Sequence, residues 1–324
     1  MNVSPASYLD RYIESLLIGL KYNPAVANIL GKHGWKGFIT CSGKKDGAGA
    51  QALAIMSTIL FARDLGLTYL HTPFSQIAHN SDRNNLWEYK WENFLSLGKG
   101  ELHINDVQKS GIEVVDLYKL SKLSINKPNI LYNVRECHKY ANLFPDRYLN
   151  LSNIFRTKYL ASDKTIYDLN TSSQKINVAI HVRRGDINSS GLYSVRYTHN
   201  SCILNILNRI IKVLNDLGLD SSICLYSQGK IEDFGELQNL NINFHLNQCV
   251  FTTFHQLVTA DIFLMSKSTF SYTAALLSEG IKIYEHFYHR PLKDWLLVDR
   301  KANFPEKVLR HQLSEKWVSD IRSI

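Results

Sequence analysis

The sequence predicts an α/β protein built from two open, parallel-sheet domains that face each other across a crevice. Three observations carry that expectation. A strand, loop, helix, strand succession starts near Gly37, a clearer alternation of apolar strands and amphipathic helices starts at Ile176, and the polar run from Ser162 to Lys175 separates them as a linker. At about 150 residues per domain, a chain of 324 residues fits two domains. The expected boundaries are 1–160 and 161–300, followed by a helical extension over 301–324.

In the first half, Gly37 to Thr40 is a short β-type run, Gly43 to Gly49 a loop, and Ala50 to Gly66 a long helix closed by its glycine. Leu67 to His71 resumes as strand and completes a βαβ unit. Trp87, Trp91, Phe94 and Leu95 share one face of a helix, Ile112 to Val115 and Asn129 to Val134 read as strands, and Glu136 to about Leu160 reads as a tyrosine-rich helical stretch. In the second half, Ile176 to Val182, Ile223 to Ser227, Ile242 to Leu246, Asp261 to Met265 and Ile281 to Glu285 are strands apolar enough for burial on both faces. The amphipathic helix from Cys202 stops at Gly218. Ligands of such sheets bind beyond the carboxyl ends of the strands, so the chemistry belongs in those loops.

Apolar residues make up 45% of the chain and charged ones 20%, which excludes a disordered or fibrous protein. The net charge of +8 implies an anionic partner: a nucleotide sugar, a nucleic acid or an acidic lipid. No basic run exceeds two residues, which argues against nucleic acid. Cys41, Cys137, Cys202, Cys224 and Cys249 are odd in number, far apart and without CxxC spacing, the usage of a reducing compartment. Asp10, Arg11 and Glu14 interrupt the N-terminal apolar run, so neither a signal peptide nor a spanning helix is expected, and the location expected is cytoplasmic. Tyr12, Leu16, Leu17 and Leu20 recur at helical spacing. Packing on the body is the favoured use of that stripe, and a peripheral contact at the inner membrane surface is the other.

The strongest chemical signal is HVRRGD, His181 to Asp186, where the strand from Ile176 ends. Adjacent arginines there aim permanent, fork-shaped charge at a crevice, where a multiply charged anion such as a diphosphate offsets their desolvation. The plainer readings are a surface Arg pair with a helix-capping Asp, and a chance Arg-Gly-Asp adhesion tripeptide. A second segment, Ala260 to Ser278, is a strand ending in the hydroxyl-rich turn Ser268, Thr269, Phe270, Ser271, from which a helix opens. Unpaired backbone N–H groups and the helix dipole make such an opening suit a phosphate, although an ordinary N-cap has the same sequence.

These segments resemble a known superfamily. HVRRGD is similar to the H-x-R-R-x-D motif of the α1,2/α1,6-fucosyltransferase and protein O-fucosyltransferase superfamily, and the second segment resembles its later S-S-F-S-W-W-A-A motif, with Tyr272 and Thr273 in place of the tryptophans. Gly47 to Gln51 (GAGAQ) is similar to the G-x-G-N-Q loop of its α1,2 branch, with Ala50 for Asn, and the bacterial members of that branch are the nearest in pattern. The three segments span about Gly37 to Ser278.

The resemblance implies a GT-B type fold with two Rossmann-like domains, the first receiving a glycan acceptor and the second binding the donor. It implies inverting transfer of fucose from GDP-fucose that needs neither cofactor nor metal, and the chain contains no Asp-x-Asp. Arg183 would hold the pyrophosphate, with Asp186 as its companion in the catalytic set, positioning Arg184 or the loop. His181, Arg184, Gly47, Gly49, Gln51, Ser268, Thr269, Phe270 and Ser271 would form the donor pocket. Asp46, Asp186 and Glu285 are candidates for a catalytic base by placement, with none singled out. Part of the superfamily carries a base-reading acid shortly upstream of the pair matching Ala260 and Asp261; Thr253 stands there in this chain, which keeps a different nucleotide sugar open. A non-catalytic module that uses the basic crevice to hold an anionic glycan or nucleic acid is the third possibility.

Weaker features point elsewhere. His286 and His289 have an H-x-x-H spacing but lack further ligands for zinc, and nothing gathers a triad around Cys137 and His138. Trp87, Tyr89, Trp91 and Phe94 suit either a core face or a sugar-stacking platform.

Overall fold

A computed structural model of the chain describes residues 37–80, 84–107, 112–117, 129–169, 175–191 and 193–318. The stripe of Tyr12, Leu16, Leu17 and Leu20, positions 170–174 of the expected linker, and 319–324 lie outside the described residues. The chain divides into two compact units, Met1–Ser162 and Asp163–Ile324. Among the described residues no helix is long and apolar enough to cross a membrane.

In the first unit, β1 (Phe38–Cys41), β2 (Thr68–His71), β3 (Leu102–His103), β4 (Glu113–Leu117) and β5 (Ile130–Val134) form one parallel sheet in the order β3-β2-β1-β5-β4. Helix α1 (Ala48–Leu65) connects β1 to β2. Its sequence is apolar nearly all round, and the helix is correspondingly buried nearly all round. It ends where Gly66 turns left-handed (φ 69°) and donates its N–H to the Ala62 and Arg63 carbonyls. Helix α2 (Trp87–Leu95) turns Trp91, Phe94 and Leu95 inward, so these side chains belong to the core, while Tyr89 faces outward.

The expected helical stretch from Glu136 is instead three pieces: a helix over His138–Leu143, a 3-10 segment over Pro145–Leu151 and a helix over Ser152–Tyr159. Pro145 is the physical reason. It forces Phe144 out of the helical region (φ −127°, ψ 56°) and cannot donate into a continuing helix.

In the second unit, β6 (Ile176–His181), β7 (Ser221–Ser227), β8 (Asn243–Leu246), β9 (Ile262–Leu264), β10 (Ile281–Glu285) and β11 (Leu296–Val298) form a wholly parallel sheet in the order β11-β10-β9-β6-β7-β8. This is the doubly wound order of a Rossmann-type sheet. The chain runs outward from β6 to β8, crosses back through the helix α4 (Val250–Thr259), and runs outward again from β9. Helix α3 (Asn200–Asp216) buries Ile203, Ile206, Leu207, Ile210, Val213 and Leu214, an apolar stripe at helical spacing. Leu309 and Leu313 of the helix Glu306–Leu313 lie wholly buried in that same cluster, so this part of the chain's C-terminal region is body and not appendage. The α/β class with two Rossmann-like units therefore stands as the sequence predicts it, with β3 and β11 as short strands it did not announce.

Candidate anion site at the switch point of the second sheet

Strand order reverses between β6 and β9, and at such a switch point the two outgoing loops diverge and leave a crevice beyond the strand ends. The loop after β6 is HVRRGD, and the loop after β9 carries Ser266 to Ser268 into helix α5 (Thr269–Leu277). The topology thus puts the two strongest sequence motifs side by side.

Side chains join them. Arg183 donates from Nη1 to Ser268 Oγ at 3.3 Å, and from Nε and Nη2 to the two carboxylate oxygens of Asp186 at 3.1 and 2.6 Å. His181 Nδ1 lies 2.6 Å from Ser271 Oγ and 2.9 Å from Ser266 Oγ, and those hydroxyls are 2.9 Å apart. Burial, together with the charge of Arg183, pushes the His181 pKa down to about 3, so the ring is neutral at pH 7. Ser268 caps α5, its Oγ accepting the Phe270 N–H at 3.2 Å, and the capped turn faces the guanidinium. The Phe270 ring packs 5.4 Å from the His181 ring. Thr269 Oγ1 meets Tyr288 Oη at 2.6 Å and buried His289 at 3.4 Å; His286 is exposed.

Two expected roles change. Asp186 pairs with Arg183 and not with Arg184, because a fork-to-fork carboxylate geometry is available three residues away. Arg184 points into the body, buried, donating to Arg183 O, Thr198 O and Asn200 Oδ1, with its guanidinium 4.1 Å from the Tyr197 ring centroid. It shapes the pocket from behind, through Thr198. Gly185 makes this division possible: its φ of +81° is a glycine conformation, and a Cβ there would lie 2.4 Å from Gln228 Oε1.

The pocket beyond β6 is lined by His181, Arg183, Arg196, Thr198, Ser266 and Glu285, with apolar walls from β6, α3 and β9. Glu285, at the end of β10, is held by Lys267 Nζ at 2.6 Å and by Thr198 Oγ1 at 2.5 Å. Sequence reasoning missed Arg196, Thr198 and Lys267. Lys267, lodged between two motif serines, carried a readable signal; Arg196 sits in a loop without periodicity. Both carboxylates here are engaged by cations, Asp186 by Arg183 and Glu285 by Lys267.

The remaining candidates belong to other elements. In the first unit, Gly47 is the N-cap of α1 and Gly49 is buried in its first turn. Gln51, also buried, donates its amide to the backbone carbonyls of Asp46 (3.0 Å) and Ser75 (3.2 Å), bracing the loop. Asp46 lies 3.3 Å from Lys44 Nζ, which also pairs with Glu136. Burial drives the Cys137 thiol pKa far up, which leaves it inert at neutral pH. Thr253 sits half-buried on α4.

No protein-family profile matches the chain, and no curated protein matches it either. Solved structures are similar to it at low identity. A crystal structure of POFUT1 in complex with GDP shares 14% identity over 76% of this chain and 96% of its own, with a TM-score of 0.34. A mutant of Arabidopsis thaliana FUT1 in complex with GDP shares 12% over 93% and 82%, with a TM-score of 0.40. POFUT1 in complex with GDP-fucose shares 11% over 76% and 96%, at 0.38. Likeness this distant leaves the functional reading to the residues of this chain.

Proposed function

We propose that the chain is a glycosyltransferase that transfers fucose from GDP-fucose to a saccharide acceptor, with inversion and without a metal. The carrying observation is the 3.3 Å contact between Arg183 and Ser268, which sets a fork-shaped cation against a helix opening at the sheet's switch point. In this reading the acceptor hydroxyl oxygen bonds to the anomeric carbon as the bond from that carbon to the diphosphate oxygen breaks. The electron pair leaves with the diphosphate, and the hydroxyl proton is released. Negative charge grows on the leaving group, where Arg183 and the amides of the α5 opening are already in place to receive it. Asp186 holds the guanidinium by two bonds, so little reorganisation is needed as the charge develops. The choice of guanine and fucose rests on the motif resemblance.

A second reading, the same chemistry with another nucleotide sugar, is favoured by Thr253 standing where part of the superfamily has a base-reading acid. Thermal unfolding separates the two. GDP should raise the midpoint in a concentration-dependent way, by about 2.7 kcal/mol of stability at one hundred times Kd, while UDP and CMP should not. An equal response to all three, or to none, contradicts the guanine assignment.

A further inference from the structure

We propose that Arg196 is a second anion-binding residue of this pocket and that, with Arg183, it makes the site select a nucleoside diphosphate over a monophosphate. This deepens the reading above and rests on it. Arg196 ends the short turn Ser194–Arg196, in the loop that leads into α3, and lines the same pocket as Arg183. Its guanidinium stands 5.3, 5.6 and 5.4 Å from the ring centroids of Tyr193, Phe287 and Tyr288. Such rings orient a guanidinium through their quadrupoles, but they carry no net charge to neutralise it.

No carboxylate pairs with Arg196 among the described residues. Glu285 is taken by Lys267 and Thr198, and Asp186 is taken by Arg183. A half-buried guanidinium at a pocket wall, held in place yet without a counter-ion, is stabilised when a ligand supplies the negative charge. The aromatic platform is also tied to the helix opening, since Tyr288 Oη meets the hydroxyl of Thr269, the residue after Ser268. Two cations from two different loops therefore border one pocket, each fixed by its own surroundings. The enclosed part of the pocket is about 10 Å³, room for a single water, so a diphosphate would lie across its mouth, with anionic oxygens on two phosphorus atoms to engage both cations at once. A monophosphate satisfies one.

The test is calorimetric titration of the full chain with GDP and with GMP, for the unaltered protein, Arg196→Gln and Arg196→Lys. The unaltered chain should prefer GDP. Arg196→Gln should weaken GDP by about tenfold or more and GMP by less than about threefold, and Arg196→Lys should recover part of the loss, because a charge-assisted hydrogen bond is worth roughly that factor. If the unaltered chain prefers GDP and Arg196→Gln keeps that ratio, or weakens both ligands equally, the inference is overturned while the pocket's reading stands. If the unaltered chain binds neither, that reading fails and the inference falls with it.

Discussion

Arg183→Ala should lower the turnover of fucosyl transfer by about 10²–10³-fold while leaving the fold intact. The magnitude is that of removing one preorganised donor from a developing anion, about 2.7–4 kcal/mol of transition-state stabilisation. The fold should survive because the partners of Arg183 are cheap to release. Asp186 is 44% exposed and regains water, and Ser268 keeps its capping bond to Phe270. Arg183→Lys should fall between, since it restores the charge without the fork that spans Asp186 and Ser268. Initial rates with GDP-fucose, read beside a melting curve, check this. Unchanged turnover in a folded Arg183→Ala protein contradicts the assigned role.

Acid should destabilise the chain, and His181 should be a principal cause. Its native pKa of about 3, set by burial and by the neighbouring guanidinium, lies below the 6.5 of the free side chain. Between those values the unfolded chain binds a proton that the native chain refuses. The contribution is therefore complete above about pH 6.5 and is lost as pH falls toward 3, at up to about 1.4 kcal/mol per pH unit. Burial depresses the pKa of His245 in the same direction, so it shares the effect. Urea unfolding at pH 7, 6, 5 and 4 should give a flatter dependence for His181→Gln than for the unaltered chain; identical slopes contradict the account. The comparison uses slopes because the substitution also disturbs the bonds to Ser266 and Ser271.

Much of this was legible because the decisive features are local. The apolar strands of the second half declare a covered parallel sheet, and HVRRGD and the 268–271 turn stand out by residue type as loops at strand ends, without deciding between an anion site and a capped surface turn. What the sequence could not declare was pairing. Whether Asp186 answers Arg183 or Arg184 depends on the left-handed Gly185, whose φ sets the direction in which the chain carries Asp186 back toward the arginines. Arg196 becomes notable only when loops 193–196 and 287–288, some ninety residues apart, bring three rings around it. Short strands such as β3 and β11 carry too few residues to show a period, and Pro145 outweighed the helical pattern around it.

The most direct measurement is the structure of the chain with GDP bound. The diphosphate should lie between the Arg183 guanidinium and the backbone N–H groups of Thr269 and Ser271, with oxygens at hydrogen-bond distances of about 2.7–3.2 Å. A nucleotide ordered elsewhere, or a diphosphate that leaves Arg183 on Asp186 alone, would contradict it.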